Sequence, residues 1–187
     1  MRIIVPSLQR HRLTPMILLA LCGALIAGVY GALHDQISYT ISPEYFTRLK
    51  FRQFRWADAG WTPRVFASIV GFLATWWAGL FAGWFLARVG LDLISPPERR
   101  HRVAVNAFSI ILCSVIIVGA LGAILGYIAS HGDMSGWNRR REELSLHDVP
   151  RFVIVAWLHA AGYLGALLGI GVAIWYVRRQ RATVVVK

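Results

Sequence analysis

Negative charge is scarce in this sequence. Asp and Glu number 9 in 187 residues, against 20 Lys and Arg, and charged residues of both signs make up 16%. Soluble domains are about a quarter charged and roughly 45–50% apolar. Here hydrophobic residues reach 57%. That balance excludes an ordinary soluble domain and reads as one integral membrane domain, residues 1–187, without a second unit. The net charge of +11 does not make a nucleic-acid binder, because the positives sit between apolar runs and form no basic domain. Lysine is nearly absent too: Arg outnumbers Lys eighteen to two. The arginines gather at the ends of the apolar runs, where they can snorkel or meet lipid phosphate.

Cysteine is equally sparse. Cys22 and Cys113 each lie inside an apolar run and belong to no CxxC or CxxCH motif. This removes sequence support for c-type haem, a zinc ribbon or a thioredoxin-like pair. Ionisable residues are sparse inside the apolar runs as well. The second apolar run has no ionisable residue before Arg88, the third has only Asn106 near its start, and no run carries an acid in its middle. That weighs against a transporter with a midplane carboxylate and leaves a channel little to line its path.

What the chain does have is long apolar stretches. A membrane helix needs about 20 mostly apolar residues. Four runs qualify: 15–33, 65–89, 103–129 and 152–177. The first exceeds the apolar core of a cleaved signal peptide, about 7–15 residues, and is read as a retained helix. The expected fold is all-α, a four-transmembrane-helix bundle. Small residues four apart recur in every run: Ala24 with Gly28, Ala27 with Gly31, Gly79 with Gly83, Gly122 with Gly126, Gly165 with Gly169. Such spacing flattens one helix face so that backbones can approach. The second run is also rich in aromatics, including Trp76 and Trp77, read as lipid-facing or gap-filling.

An even number of spans puts both ends of the chain on one side. That side carries eleven Arg and Lys, among them Arg2, Arg10, Arg12, Arg178, Arg179 and Lys187, against nine on the other. Basic residues favour the cytoplasm, so both termini are expected there.

The first loop on the other side carries the most information. His34, Asp35 and Gln36 are expected to mark the exit of the first helix. Ile37, Tyr39 and Ile41 then alternate with Ser38, Thr40 and Ser42, the period of an extended segment. Ser42-Pro43-Glu44 reads as a helix start. The residues that follow are expected to set Tyr45, Phe46, Leu49 and Trp56 on one face of a helix and Arg48, Arg52 and Arg55 on the other. The expectation is an amphipathic helix lying in the outer interface.

Histidine and aspartate collect on that outer side. His34 and Asp35 sit in the first loop, His131, Asp133 and His147 in the second, and His159 just below it. Imidazole and carboxylate suit zinc, iron or manganese and also serve as acid and base. The spacing follows no defined metal motif such as HExxH. No cofactor is therefore specified beyond a metal ion that these six residues could hold. Two functions stay open: a structural or accessory membrane protein, alone or in a homo-oligomer or larger membrane complex, and a membrane enzyme or metal- or cofactor-binding protein with its site at the outer mouth.

The string HDQISYTISPEYFTRLKF, His34 to Phe51, resembles a signature of small, uncharacterised bacterial inner-membrane proteins. The resemblance covers roughly Gly31 to Phe54. It implies a bacterial inner-membrane setting and transfers no activity.

Overall fold

The computed structural model describes residues 10–185; Arg2 and Lys187, counted in the charge balance, lie outside them. Four long helices carry the fold: Arg10–Ile41, Pro63–Arg88, Pro97–Ser130 and Val149–Val185. All four are long and apolar enough to cross a membrane, and no strand occurs among the described residues. The protein is an all-α four-helix bundle of the multi-pass membrane type. Proline stands in the first turn of the second and third helices, where its missing N–H costs nothing and its fixed φ suits the helix.

The bundle is built from two antiparallel pairs. The first helix packs along the second and the third along the fourth, while contacts across the pairs are few. In the first pair, a methyl added at Gly23 would strike the Gly79 carbonyl, one at Gly31 the Gly71 carbonyl, and one at Gly83 the Leu19 carbonyl. The register is therefore 19 with 83, 23 with 79 and 31 with 71. Between them the Thr75 hydroxyl donates to the Ala27 carbonyl at 2.7 Å. In the second pair, Gly122 and Gly126 meet the backbone of Trp157 and Ile154, and Gly165 and Gly169 meet Ser114 and Ile111. The Ser114 hydroxyl donates to the Gly165 carbonyl at 2.8 Å. The small-residue faces are the seams of the pairs, with Gly23 and Gly71 joining those expected.

The pairs are tied together at their two ends. At the end away from the termini, Tyr45, Phe46, Ala67, Leu146, Phe152 and Val153 form one buried cluster. At the terminal end, Leu86, Leu91, Ile94, Val103, Ala173 and Val177 form another.

One expectation fails here. The first helix does not end at Leu33, and the extended segment from Ile37 to Ile41 does not exist; the helix continues through His34, Asp35 and Gln36 to Ile41. The hydroxyls hold it: Ser38 Oγ donates to the His34 carbonyl at 2.8 Å and Thr40 Oγ1 to the Gln36 carbonyl at 2.9 Å. The true period is helical. Ile26, Val29, Leu33 and Ile37 form one exposed stripe, and Asp35, Ser38 and Ser42 one buried stripe.

Beyond Ser42 the chain is helical but broken. A wide π-helical turn, Tyr45–Lys50, runs into the short turns Phe51–Gln53 and Arg55–Ala57. Tyr45 and Phe46 are buried and Arg52 and Arg55 exposed, as expected. Trp56 is not on the buried face: it is 74% exposed. Lys50, by contrast, is buried. At 100° per residue Lys50 would point away from Tyr45. In a π turn, with i to i+5 bonding, residues five apart come round to the same side.

A buried polar cluster at the mouth of an intramembrane slot

The first and fourth helices meet at His34, Asp35 and His159. Each offers one ligand atom, and the three atoms lie within 4.8 Å of one another. The His34 and His159 rings meet edge to face, with centroids 4.9 Å apart and planes at 79°. Tyr45, brought in by the π turn, stacks on His159 with centroids 4.8 Å apart and planes at 21°. Phe46 closes another side at 6.3 Å. Burial pushes the Tyr45 hydroxyl above its ordinary pKa, and neighbouring Tyr163 and Asp35 push the same way.

The nearest polar approach to His159 is Asp35 Oδ1, 3.8 Å from Nε2. That is too long for a hydrogen bond, and Nε2 is buried without a partner. His159 as a whole is 9% exposed. An unsatisfied buried polar group costs about 1–3 kcal/mol, so this nitrogen is a strained feature of the protein by itself. His34 is better supported: its Nδ1 lies 3.3 Å from the Tyr30 hydroxyl. That contact leaves Nε2 as the nitrogen free for another partner.

The neighbouring polar residue Gln36 turns the other way. Its amide donates to the Arg64 carbonyl at 2.6 Å and to Ser68 Oγ at 2.8 Å, on the second helix. The triplet thus splits between two neighbours. Arg151, near the start of the fourth helix, pairs with Asp148 at 3.4 Å, in solvent.

The other three sequence candidates do not join the cluster. His131 is exposed, and its Nδ1 lies 2.8 Å from the carbonyl of Tyr127 on its own helix. Asp133 closes a turn, accepting from the Ser135 backbone N–H at 2.8 Å and its hydroxyl at 2.9 Å. His147 lies against a separate surface hollow beside Trp137 and Arg141. The six-residue outer site therefore reduces to His34, Asp35 and His159. What binds the second loop to the first is Glu44, whose carboxylate accepts from the backbone N–H groups of His147 and Asp148 at 2.8–3.1 Å.

Below the cluster a slot of ≈ 120 Å³ runs between the two helix pairs. It starts at His34, Asp35, Lys50 and His159 and reaches Gly23, Ala82 and Ile170. Sequence reasoning missed Tyr30 and Lys50, and gave Tyr45 only as a residue of an apolar face. Lys50 left one trace, as one of two lysines in an arginine-rich chain. No family model, curated protein or solved structure matches this chain.

Proposed function

We propose that this is a metal-binding protein of the bacterial inner membrane, with both termini in the cytoplasm and its metal site at the periplasmic end of the bundle. The observation that carries the reading is the unpartnered, buried Nε2 of His159 beside His34 and Asp35. Two imidazoles and one carboxylate suit a divalent first-row ion such as zinc or iron(II), with further positions left open. Donor atoms on one tetrahedral ion stand about 3.3 Å apart at bond lengths of about 2.0–2.2 Å. Small side-chain rotations would close the set from 4.8 Å. Tyr30 would act behind His34, orienting its ring through Nδ1. Bound there, a divalent ion supplies a Lewis acid facing the slot.

Metal analysis of protein purified without chelators tests this. About one equivalent of a transition metal is expected in the native chain and none in His159→Phe. If both are metal-free, and Asp35→Asn does no more than change the melting temperature, the structural or accessory reading takes its place. A reporter fused after Lys187 checks the orientation, and activity of a periplasm-only reporter there would reverse it.

A further inference from the structure

The slot exists because of a mismatch between the ends of the bundle and its middle. Buried clusters at both ends hold the helix pairs together. Between them the second helix presents Ala74, Ala78 and Ala82, and the fourth presents Gly162 and Ala166, while Phe108 and Ile111 of the third line the slot as well. The alanine and glycine side chains are too short to meet across the gap. Along the first helix the lining runs from Gly23 to Asp35, along the second from Gly71 to Ala82, and along the fourth from His159 to Ile170. These runs are eleven or twelve steps at 1.5 Å, about 17 Å in all. That is close to half of a hydrocarbon core about 30 Å thick, the depth of one leaflet.

The shape selects the occupant. A compact apolar cavity of about 150 Å³ accepts a benzene ring. Here ≈ 120 Å³ is spread along two to three turns of each lining helix, which suits an extended chain better than a compact ring. Ile26 and Tyr163 line the slot and are also 40% and 49% exposed, so it reaches the lipid-facing surface. Its polar end is just as specific. The unpaired His159 nitrogen and the buried Lys50 lie there and nowhere else along it. With a divalent ion in place, the ion and Lys50 outnumber the single negative charge of Asp35, and the mouth of the slot favours an anion.

We infer that the slot holds one apolar chain whose anionic head, a carboxylate or a phosphate, lies between Lys50 and the ion held by His34, Asp35 and His159. This rests on the metal reading for the sign of the head and on the slot for the chain.

The test uses the full chain in nanodiscs with photoactivatable hexadecanoate, hexadecyl phosphate and hexadecylamine. Cross-linked residues are mapped and metal content is measured on the same samples. The two anionic probes should label the slot walls, and the stronger of them identifies the head. Ala78→Phe or Ala166→Leu, on opposite walls, should abolish that labelling, so one misfolding variant does not decide the matter. Lys50→Gln should weaken it about tenfold, the loss of one charge-assisted contact, with metal content unchanged. Equal labelling by the amine would overturn the anionic head. Labelling spread over Leu33 and Ile37 and indifferent to both wall variants would overturn the slot. Metal-loaded protein with an unlabelled slot sinks this inference alone. Slot labelling by the anions in metal-free protein, lost in Lys50→Gln, upholds the chain in the slot, sinks the metal reading and overturns the ion's part in holding the head, which Lys50 then holds alone.

Discussion

The bundle has two kinds of helix interface, built in opposite ways from similar residues. Within each pair, glycines bring backbone against backbone, and Thr75 and Ser114 donate across the seam to carbonyls. Between the pairs, alanines and glycines face a gap. Small residues close an interface only where both helices place them at matched heights, as Gly23 with Gly79 and Gly31 with Gly71 do. Where bulkier packing at both ends holds the helices apart, the same residues open one.

The largest effect expected from this contrast is on stability. Gly79→Val puts side-chain atoms into the Gly23 carbonyl and should cost about 3 kcal/mol, at the upper end of overpacking. Ala78→Val, one residue away but facing the slot, should stay within about 0.5 kcal/mol. Equilibrium unfolding in detergent measures both, and equal losses would break the distinction between seam and slot.

His159→Phe separates binding from folding. It removes an imidazole already lacking a partner at Nε2 and keeps a ring of similar shape against Tyr45. Metal affinity should fall by more than about 100-fold, beyond the loss of a supporting contact. Stability of the metal-free protein should change by less than about 1 kcal/mol, in either direction, because no hydrogen bond at Nε2 is lost. A large destabilisation of the metal-free protein would mark His159 as a packing residue.

A smaller effect is expected at the strap between the two loops away from the termini. Glu44→Gln weakens the charge-assisted bonds to the amides of His147 and Asp148. Glu44 is partly exposed, so the loss should be about 1 kcal/mol. It should appear as faster hydrogen exchange at those two amides, with the helix seams unaffected. Unchanged exchange would show that Leu146 and Phe152, buried in the same cluster, hold the loops without Glu44.

Much of this was legible before the fold was known. The four spans and most of the seam glycines followed from apolar length and four-residue spacing. The polar stretch after Leu33 did not, because Ile37, Tyr39 and Ile41 imitate a strand when read alone. The exposed stripe Ile26, Val29, Leu33 and Ile37 carries the helical period straight through His34 and Asp35. Lys50 was hidden for a different reason. Its place beside Tyr45 depends on a π turn, whereas a winding of 100° per residue leaves it at the blurred edge between the two faces. The narrowing from six His and Asp residues to three is a matter of tertiary distance, which loop sequence does not encode.

Asp35 and Asp133 looked alike in the sequence, each within two residues of a histidine near a helix end, and the smallest effect of all is expected at Asp133 in acid. Asp133 is fully exposed, and the Ser135 backbone N–H and then its hydroxyl hold its pKa below the ordinary 3.8. A depressed carboxylate stabilises above its unfolded pKa and loses that contribution as pH falls through the folded value. The turn at Ser135 should therefore be intact above pH 3.8 and loosen below it, with the long helices unchanged. The Ser135 amide resonance reports this in a titration of detergent-solubilised protein. Ser135→Ala keeps the backbone bond and removes the hydroxyl, so its midpoint should move part of the way back toward 3.8. A midpoint unmoved in that variant would leave the backbone N–H as the whole cause, and a midpoint at or above 3.8 in the native chain would show that the turn is not formed in solution.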